Sequence, residues 1–162
     1  MILIGLGANL PSPAGPPAAT LAAALEALEA AEVVILARSH FYRTAPVPPS
    51  DQPDFINAVA AVAAALDPAA LLTLLHEIEA RFQRQRGNPN AARSLDLDLL
   101  AYDDRVIAGE GGLVLPHPRL HERRFVLAPL SDIAPGWRHP SLGRTAAELL
   151  AALPAGEVVS PL

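Results

Sequence analysis

Apolar residues along the chain recur with two different spacings, one typical of strands and one of helices. The run ILIGLG (2–7) is continuously apolar, ends in glycine and predicts a central strand. Residues 18–31 are rich in alanine and place their leucines on one stripe, which predicts an amphipathic helix. Residues 33–43 are enriched in β-branched and aromatic side chains and predict a second strand.

The clearest helix follows a third strand. Asp67 suits the N-cap position and Pro68 the first helical position, and apolar residues then recur at helical spacing as far as Phe82. The segment before it, 55–66, is rich in alanine, but its start alternates and it is predicted as a strand. A fourth strand is predicted from Leu95 to Ala101.

The order strand–helix–strand–strand–helix–strand predicts an α+β, ferredoxin-like core, with both helices on one face of an antiparallel-containing sheet. A less regular C-terminal extension follows, with a small hairpin around Val106–Ile107 and Leu113–Leu115 and a short helix at 124–131. Thr145 and Glu148 form a T-x-x-E capping box that opens a last helix. The sequence shows no linker, so residues 1–162 are expected to form a single domain.

Composition narrows the function. The absence of cysteine rules out disulfides and thiolate metal sites, and the net charge of −5 disfavours nucleic acid or an anionic membrane as partner. All 12 basic residues are arginine, whose forked guanidinium suits phosphate, although a GC-rich genome would give the same bias. The N-terminus lacks the basic region of a signal peptide, and no apolar run reaches the roughly 18 residues of a membrane span, so a cytoplasmic location is expected.

The stretch RSLDLDLL (93–100) places two aspartates in an apolar strand. Side chains two apart on a strand share a face and lie about 7 Å apart, so Asp96 and Asp98 are expected to project together, away from the leucines. Such a pair suits magnesium, which binds through one or two carboxylates together with phosphates. A solvated sheet face is the alternative.

Basic groups surround this strand. Arg84, Arg86 and Arg93 flank a GNPN segment and are interpreted as a phosphate clamp, or alternatively as ordinary solubilising residues. His117, between two prolines, is interpreted as a neutral hydrogen-bond donor to phosphate; a structural histidine in a loop is the alternative. Phe55 and Asn57 share a strand face beside a rigid, proline-rich loop, and with Phe125 they could bind a flat heterocycle, unless both rings are core.

The chain resembles the 6-hydroxymethyl-7,8-dihydropterin pyrophosphokinases of folate biosynthesis along nearly its full length. The matching segments are GLGAN (5–9), FYRTAPV (41–47), DQPDFINAV (51–59), RSLDLDLL (93–100) and PHPRLHERRFVLAPL (116–130). That family has a ferredoxin-like fold and transfers the intact pyrophosphate of ATP to the hydroxymethyl oxygen of the pterin, releasing AMP.

The resemblance implies specific roles. Two Mg²⁺ ions would be held by Asp96 and Asp98. Catalytic roles are implied for Arg84, Arg93, Asp96 and Asp98, and ATP contacts for His76, Glu79, Arg84, Arg86, Arg93, Leu99, His117 and Arg123. The pterin is expected between Phe55 and Phe125, with its edge bound by Asn57 and by the backbone of Thr44, Ala45 and Val47. The protein is expected to act as a monomer.

Two departures from the family pattern stand out. GAN replaces the usual GSN, and PNAARS (89–94) stands in place of R-W-G-P-R-T, without the tryptophan that helps to cover bound substrates. The loop as a whole is also one residue shorter than the family pattern. Two other functions therefore stay open at this point. One is a metal-dependent phosphodiesterase or nuclease, and the other is a ferredoxin-like regulatory module that binds a small molecule without turnover.

Overall fold

A computed structural model describes residues 1–82 and 94–162. Within these ranges the chain forms a mixed α/β structure with an antiparallel sheet and four α-helices. The strands are β1 (Ile2–Ala8), β2 (Val34–Arg38), β3 (Tyr42–Thr44), β4 (Phe55–Ala63), β5 (Asp96–Tyr102), β6 (Ile107–Ala108), β7 (Val114–Leu115) and β8 (Val159–Pro161). The helices are α1 (Pro17–Ala30), α2 (Pro68–Arg81), α3 (Arg124–Ile133) and α4 (Ala146–Ala152).

The main sheet has the order β5-β1-β4-β3-β8, and β2 pairs with another part of β4. Each of these pairs is antiparallel. The glycine-containing strand β1 lies between β4 and β5 and is almost entirely buried, as its apolar run predicts. β6 and β7 form the separate small hairpin that was predicted.

The prediction of a single strand at 33–43 is wrong in one respect, because the structure has two strands in this region, β2 and β3. Ser39 separates β2 from β3: its backbone N–H donates to the Val59 carbonyl at 2.9 Å, and its Oγ accepts from Val59 N–H at 3.0 Å. The Ser39 hydroxyl thus accepts the hydrogen bond that a backbone carbonyl would accept in a regular ladder, as serine side chains often do.

Helices cover both faces of the sheet. α1 and α2 pack against one face, in a core that includes Ile4, Leu97 and Leu99. α3 and α4 cover part of the opposite face, around Leu3 and Leu100. The two capping predictions are confirmed: Asp67 accepts from Ala70 N–H at 2.8 Å, and both bonds of the Thr145–Glu148 capping box are present. None of the helices in the described ranges has the length and apolar character needed to cross a bilayer.

Candidate active site

The two aspartates of β5 face a pocket of about 480 Å³ on the side of the sheet away from α1 and α2. Asp96 and Asp98 line the pocket, whereas Leu97 and Leu99 are buried in the core beneath the helices. The prediction that both carboxylates share one face is therefore confirmed. The pocket has the size of a typical small-molecule site.

Glycines of the neighbouring strand keep the floor of the pocket open. Gly5 pairs with Asp98 and Gly7 with Asp96 across the β1–β5 ladder, and both glycines line the pocket. A Cβ at Gly7 would lie 2.6 Å from Oδ1 of Asn57, well inside contact distance. A side chain at position 7 would therefore have to push the Asn57 amide aside, and glycine allows the two to approach closely.

The other end of the pocket carries the side chains expected for a planar ligand. Phe55 and Phe125 are half-buried and both line the pocket, so they are not simply core residues. The buried Asn57 amide donates from Nδ2 to Thr44 Oγ1 at 2.7 Å, which fixes its orientation. The predicted backbone contacts, Thr44, Ala45 and Val47, also line this end.

Arg123 lies between the two ends. Its guanidinium carbon is 5.3 Å from the centroid of the Phe125 ring, a cation–π distance. Burial lowers the pKa of Arg123, while the negative charges of Asp98 and Asp96 act in the opposite direction. Arg119 lines the same pocket, so two cationic side chains face the carboxylate pair.

His117 has the protonation state that was predicted for it. Burial, together with the charges of Arg123 and Arg119, lowers its pKa to about 4 against an opposing effect of Asp96, so the imidazole is neutral at pH 7. Its Nδ1 accepts from Arg119 N–H at 3.2 Å, which leaves the ring proton on Nε2. His117 does not line the pocket itself; it lies within electrostatic range of the residues that do.

The proline-rich loop between β3 and β4 is tied to the end of β1. The buried Asn9 amide donates to Gln52 Oε1 and to the Pro53 carbonyl, both at 3.1 Å. Asn9 is the last residue of GLGAN, and Gln52 and Pro53 belong to DQPDFINAV, so two of the family segments meet here.

Other predicted residues lie elsewhere. The Leu99 side chain is on the helix-facing side of β5, so a contact with nucleotide is left only to its main chain. Glu79 on α2 is buried, and its Oε2 accepts from Leu97 N–H at 2.8 Å, which anchors the start of β5. His76 is half-buried on the same helix and does not line the pocket. Arg84, Arg86 and Arg93 lie outside the described residues.

Sequence reasoning missed two acidic residues that line the pocket, Glu122 and Glu157. Glu122 belongs to the PHPRLHERRF stretch, in which histidine and arginine predominate and indicate phosphate binding rather than an acidic wall. Glu157 lies in the C-terminal segment, where the sequence carries no motif. No sequence signal would have pointed to it.

The carboxylate pair fits magnesium. No group of three or more His, Asp or Glu side chains suited to holding a metal occurs within residues 1–82 and 94–162, so a fully protein-built cage is not found there. Magnesium is typically held by one or two carboxylates and completes its shell with water and substrate phosphates. Asp96 and Asp98 provide that incomplete set, facing a pocket that also presents arginines.

Comparisons with known proteins agree with this geometry. The 2-amino-4-hydroxy-6-hydroxymethyldihydropteridine pyrophosphokinase of Pseudomonas aeruginosa is 40% identical over 154 residues, which cover 94% of this chain and 91% of the relative. The Synechocystis enzyme of the same name is 38% identical over 149 residues, 91% of this chain and 73% of that protein. The wild-type HPPK-DHPS crystal structure from Plasmodium falciparum superposes with a TM-score of 0.70 at 15% identity, over 93% of this chain and 44% of that one, and so supports the fold. The sequence profile of one family matches residues 3–135, and the chain belongs to that family, the 7,8-dihydro-6-hydroxymethylpterin-pyrophosphokinases (HPPK).

Proposed function

We propose that this protein transfers pyrophosphate from ATP to the hydroxymethyl group of 6-hydroxymethyl-7,8-dihydropterin in folate biosynthesis. Family membership and the names of the curated relatives support the reaction. The observation that carries it is the sharing of one pocket by a magnesium-type carboxylate pair and an aromatic–amide end suited to a pterin.

In this reaction the hydroxymethyl oxygen forms a bond to the β-phosphorus of ATP. The bond from the β-phosphorus to the bridging oxygen of the α-phosphate breaks, AMP leaves with that oxygen, and the hydroxyl proton passes to water. Magnesium, when bound, neutralises phosphate charge and helps to align the phosphates for in-line attack. We infer that two ions bind at Asp96 and Asp98.

The protein's own side chains position the reactants. In this proposal Arg123 and Arg119, which line the pocket, donate hydrogen bonds to phosphate oxygens. His117 donates to phosphate through its Nε2 proton, since its Nδ1 is already an acceptor. Phe55 and Phe125 hold the pterin ring in the plane that presents its hydroxymethyl group. Arg84, Arg86 and Arg93 complete the phosphate contacts in this proposal, on the basis of the motif alone, and His76 and Glu79 retain the nucleotide-side role that the resemblance implies.

We further infer a ferredoxin-like βαββαβ core within one domain, acting as a monomer in the cytoplasm. The strand order β5-β1-β4-β2 within the antiparallel sheet supports this description of the core. α1 and α2 on one face support it as well.

The test is an assay of AMP release from ATP. Release that requires both magnesium and 6-hydroxymethyl-7,8-dihydropterin supports the proposal. Release without the pterin indicates a different phosphohydrolase. Binding of both ligands with no AMP formed indicates a regulatory module.

A further inference from the structure

His139 is a buried imidazole outside the pocket, in a part of the chain that the family profile does not reach. The profile match ends at residue 135, and only 5% of His139 is exposed. Its Nδ1 accepts from the backbone N–H groups of Ser141 and Leu142, both at 3.1 Å, which leaves the ring proton on Nε2. Burial, together with the charge of His121, lowers the pKa of His139, so the ring is neutral at pH 7.

The loop around His139 is a short hairpin that holds the imidazole in one place. Arg138 and Thr145 pair as an antiparallel bridge at its base. The His139 N–H donates to the Arg144 carbonyl at 2.9 Å, and the His139 carbonyl accepts from Gly143 N–H at 2.8 Å. These bonds, with the two at Nδ1, fix both the backbone and the ring of His139.

Two other rings contact His139 edge to face. The Trp137 ring lies 5.8 Å from the His139 ring, measured between centroids, at an interplanar angle of 69°. The His121 ring lies 6.0 Å away at 83°. Both distances fall in the range of favourable edge-to-face ring contacts. His139 thus connects Trp137, which packs against the core beneath α3 and α4, to His121.

His121 belongs to the turn that presents two of the pocket's arginines. Arg119 and Arg123 lie two residues before and two residues after it, and both line the pocket. Within residues 1–82 and 94–162 the buried Nδ1 of His121 has no hydrogen-bond partner, and its Nε2 is 3.6 Å from Glu122 Oε1, too far for a hydrogen bond. The ring contact with His139 therefore restrains His121 in a way that these hydrogen-bonding groups do not.

We propose that His139 is a positioning residue for the arginines that bind phosphate. This inference rests on the proposed function, in which Arg119 and Arg123 bind the phosphates of ATP. The ring of His139 supports His121 from outside the pocket, and the turn in between keeps both guanidinium groups in place. Loss of the ring contact should therefore weaken ATP binding more than pterin binding, since Asn57 and the β3–β4 loop belong to the other end of the pocket.

Calorimetry tests this on the full-length protein with two ligands, a non-hydrolysable ATP analogue with magnesium and, separately, 6-hydroxymethylpterin. Each titration is run well below the melting temperature of the variant, so that only folded protein is compared. His139→Asn keeps an acceptor for the two loop N–H groups but removes the ring. Affinity for the ATP analogue should fall about 3- to 10-fold, the effect of one lost ring contact, with less than about a twofold change for the pterin. His40→Asn, at an exposed histidine outside the pocket, is the matched control and should match the wild type.

A second set of variants tests the route through His121. His121→Phe keeps a ring against His139 and should retain the wild-type affinity for the ATP analogue. His121→Ala should lose as much affinity as His139→Asn does. The double variant His121→Ala/His139→Asn should show no further loss, because both changes remove the same contact.

The outcomes separate positioning from other roles. Wild-type affinity for the ATP analogue in His139→Asn would overturn the role of His139, and so would an equal loss for both ligands, which indicates a general structural effect. A loss in His121→Phe as large as in His121→Ala would also overturn it, because His121 would then contact the nucleotide itself. Additive losses in the double variant would contradict a shared contact.

The same measurements distinguish this inference from the proposed function, because affinity for the ATP analogue does not depend on turnover. A wild-type protein that binds the analogue but releases no AMP with the pterin contradicts the proposed function, and the variants still decide the role of His139. A wild-type protein that does not bind the analogue overturns both.

Discussion

At the scale of single residues, Gly7 controls the position of the Asn57 amide. A methyl group at position 7 would lie 2.6 Å from Asn57 Oδ1, so Gly7→Ala should displace the amide from its bond to Thr44. Pterin affinity should fall about 3- to 10-fold, the effect of one lost hydrogen bond, as it should in Asn57→Ala. Calorimetry with 6-hydroxymethylpterin measures the change.

Gly136→Ala is a matched control, because a Cβ there meets nothing within 4 Å and the position is outside the pocket. It should bind the pterin as the wild type does. A Gly7→Ala protein with unchanged pterin affinity would show that the observed place of the Asn57 amide is not needed for binding.

Asp98 is the residue whose loss should affect turnover most strongly. Asp98→Asn keeps the shape of the side chain but removes the charge that attracts magnesium, so the rate of AMP formation should fall by about 10³-fold or more. The melting temperature should change little, because the carboxylate faces the pocket rather than the core. Asp104→Asn removes an exposed carboxylate just beyond the same strand and should leave the rate unchanged. A near-normal rate for Asp98→Asn in saturating magnesium would exclude Asp98 from the mechanism.

At the scale of elements, the loop that carries Ala45 and Val47 depends on its tether to β1. Asn9→Ala removes both donors to Gln52 and Pro53 and should speed backbone hydrogen exchange in residues 45–54. Pterin affinity should fall with it, while the ATP analogue binds as before. Asn9→Asp keeps the shape of the side chain but turns a carboxylate oxygen, which can only accept, towards the Gln52 and Pro53 oxygens. Its effect on hydrogen exchange and pterin affinity should therefore be at least as large as that of Asn9→Ala. Unaltered exchange in both variants would show that the tether does not order the loop.

The sequence predicted those elements whose signals are local. Asp67 and Thr145 carry cap chemistry within four residues of their helices, and both caps are present. The break at Ser39 was missed because its cause is a bond to Val59, a partner twenty residues away. β8 was missed because a three-residue strand in a short terminal segment is defined by its pairing with β3 and not by its own pattern.

The same distinction applies to the site. Asp96 and Asp98 could be placed on one face because strand geometry alone fixes their direction. The Leu99 side chain turns to the core for the same reason, which the resemblance could not convey. Glu157 could not be predicted, because its place in the pocket depends on the pairing of the neighbouring strand β8 with β3, which is far away in sequence.

At the scale of the whole molecule, a small polar cluster around Asp132 links β3 to α3. The Tyr42 hydroxyl on β3 lies 2.7 Å from both carboxylate oxygens of Asp132, and His40 Nδ1 is 3.2 Å from one of them. Burial, followed by the hydrogen bond to Asp132 and its negative charge, raises the pKa of Tyr42 from 10.0 to about 12. The phenol therefore stays protonated in the folded protein at pH values where the unfolded chain has lost that proton.

Stability should consequently fall as the pH rises through this range. Because the folded state binds more protons between pH 10 and about 12, linkage requires the Tyr42 contribution to be complete below pH 10 and lost towards pH 12. Urea unfolding of the wild type and Tyr42→Phe across this range measures the effect: the difference in free energy of unfolding should shrink with pH. Tyr102→Phe leaves Tyr42 as the one remaining tyrosine, so its tyrosinate absorbance reports the raised pKa directly. A constant difference between wild type and Tyr42→Phe, or a tyrosinate transition near pH 10, would show that the contact with Asp132 does not link β3 to α3 in solution.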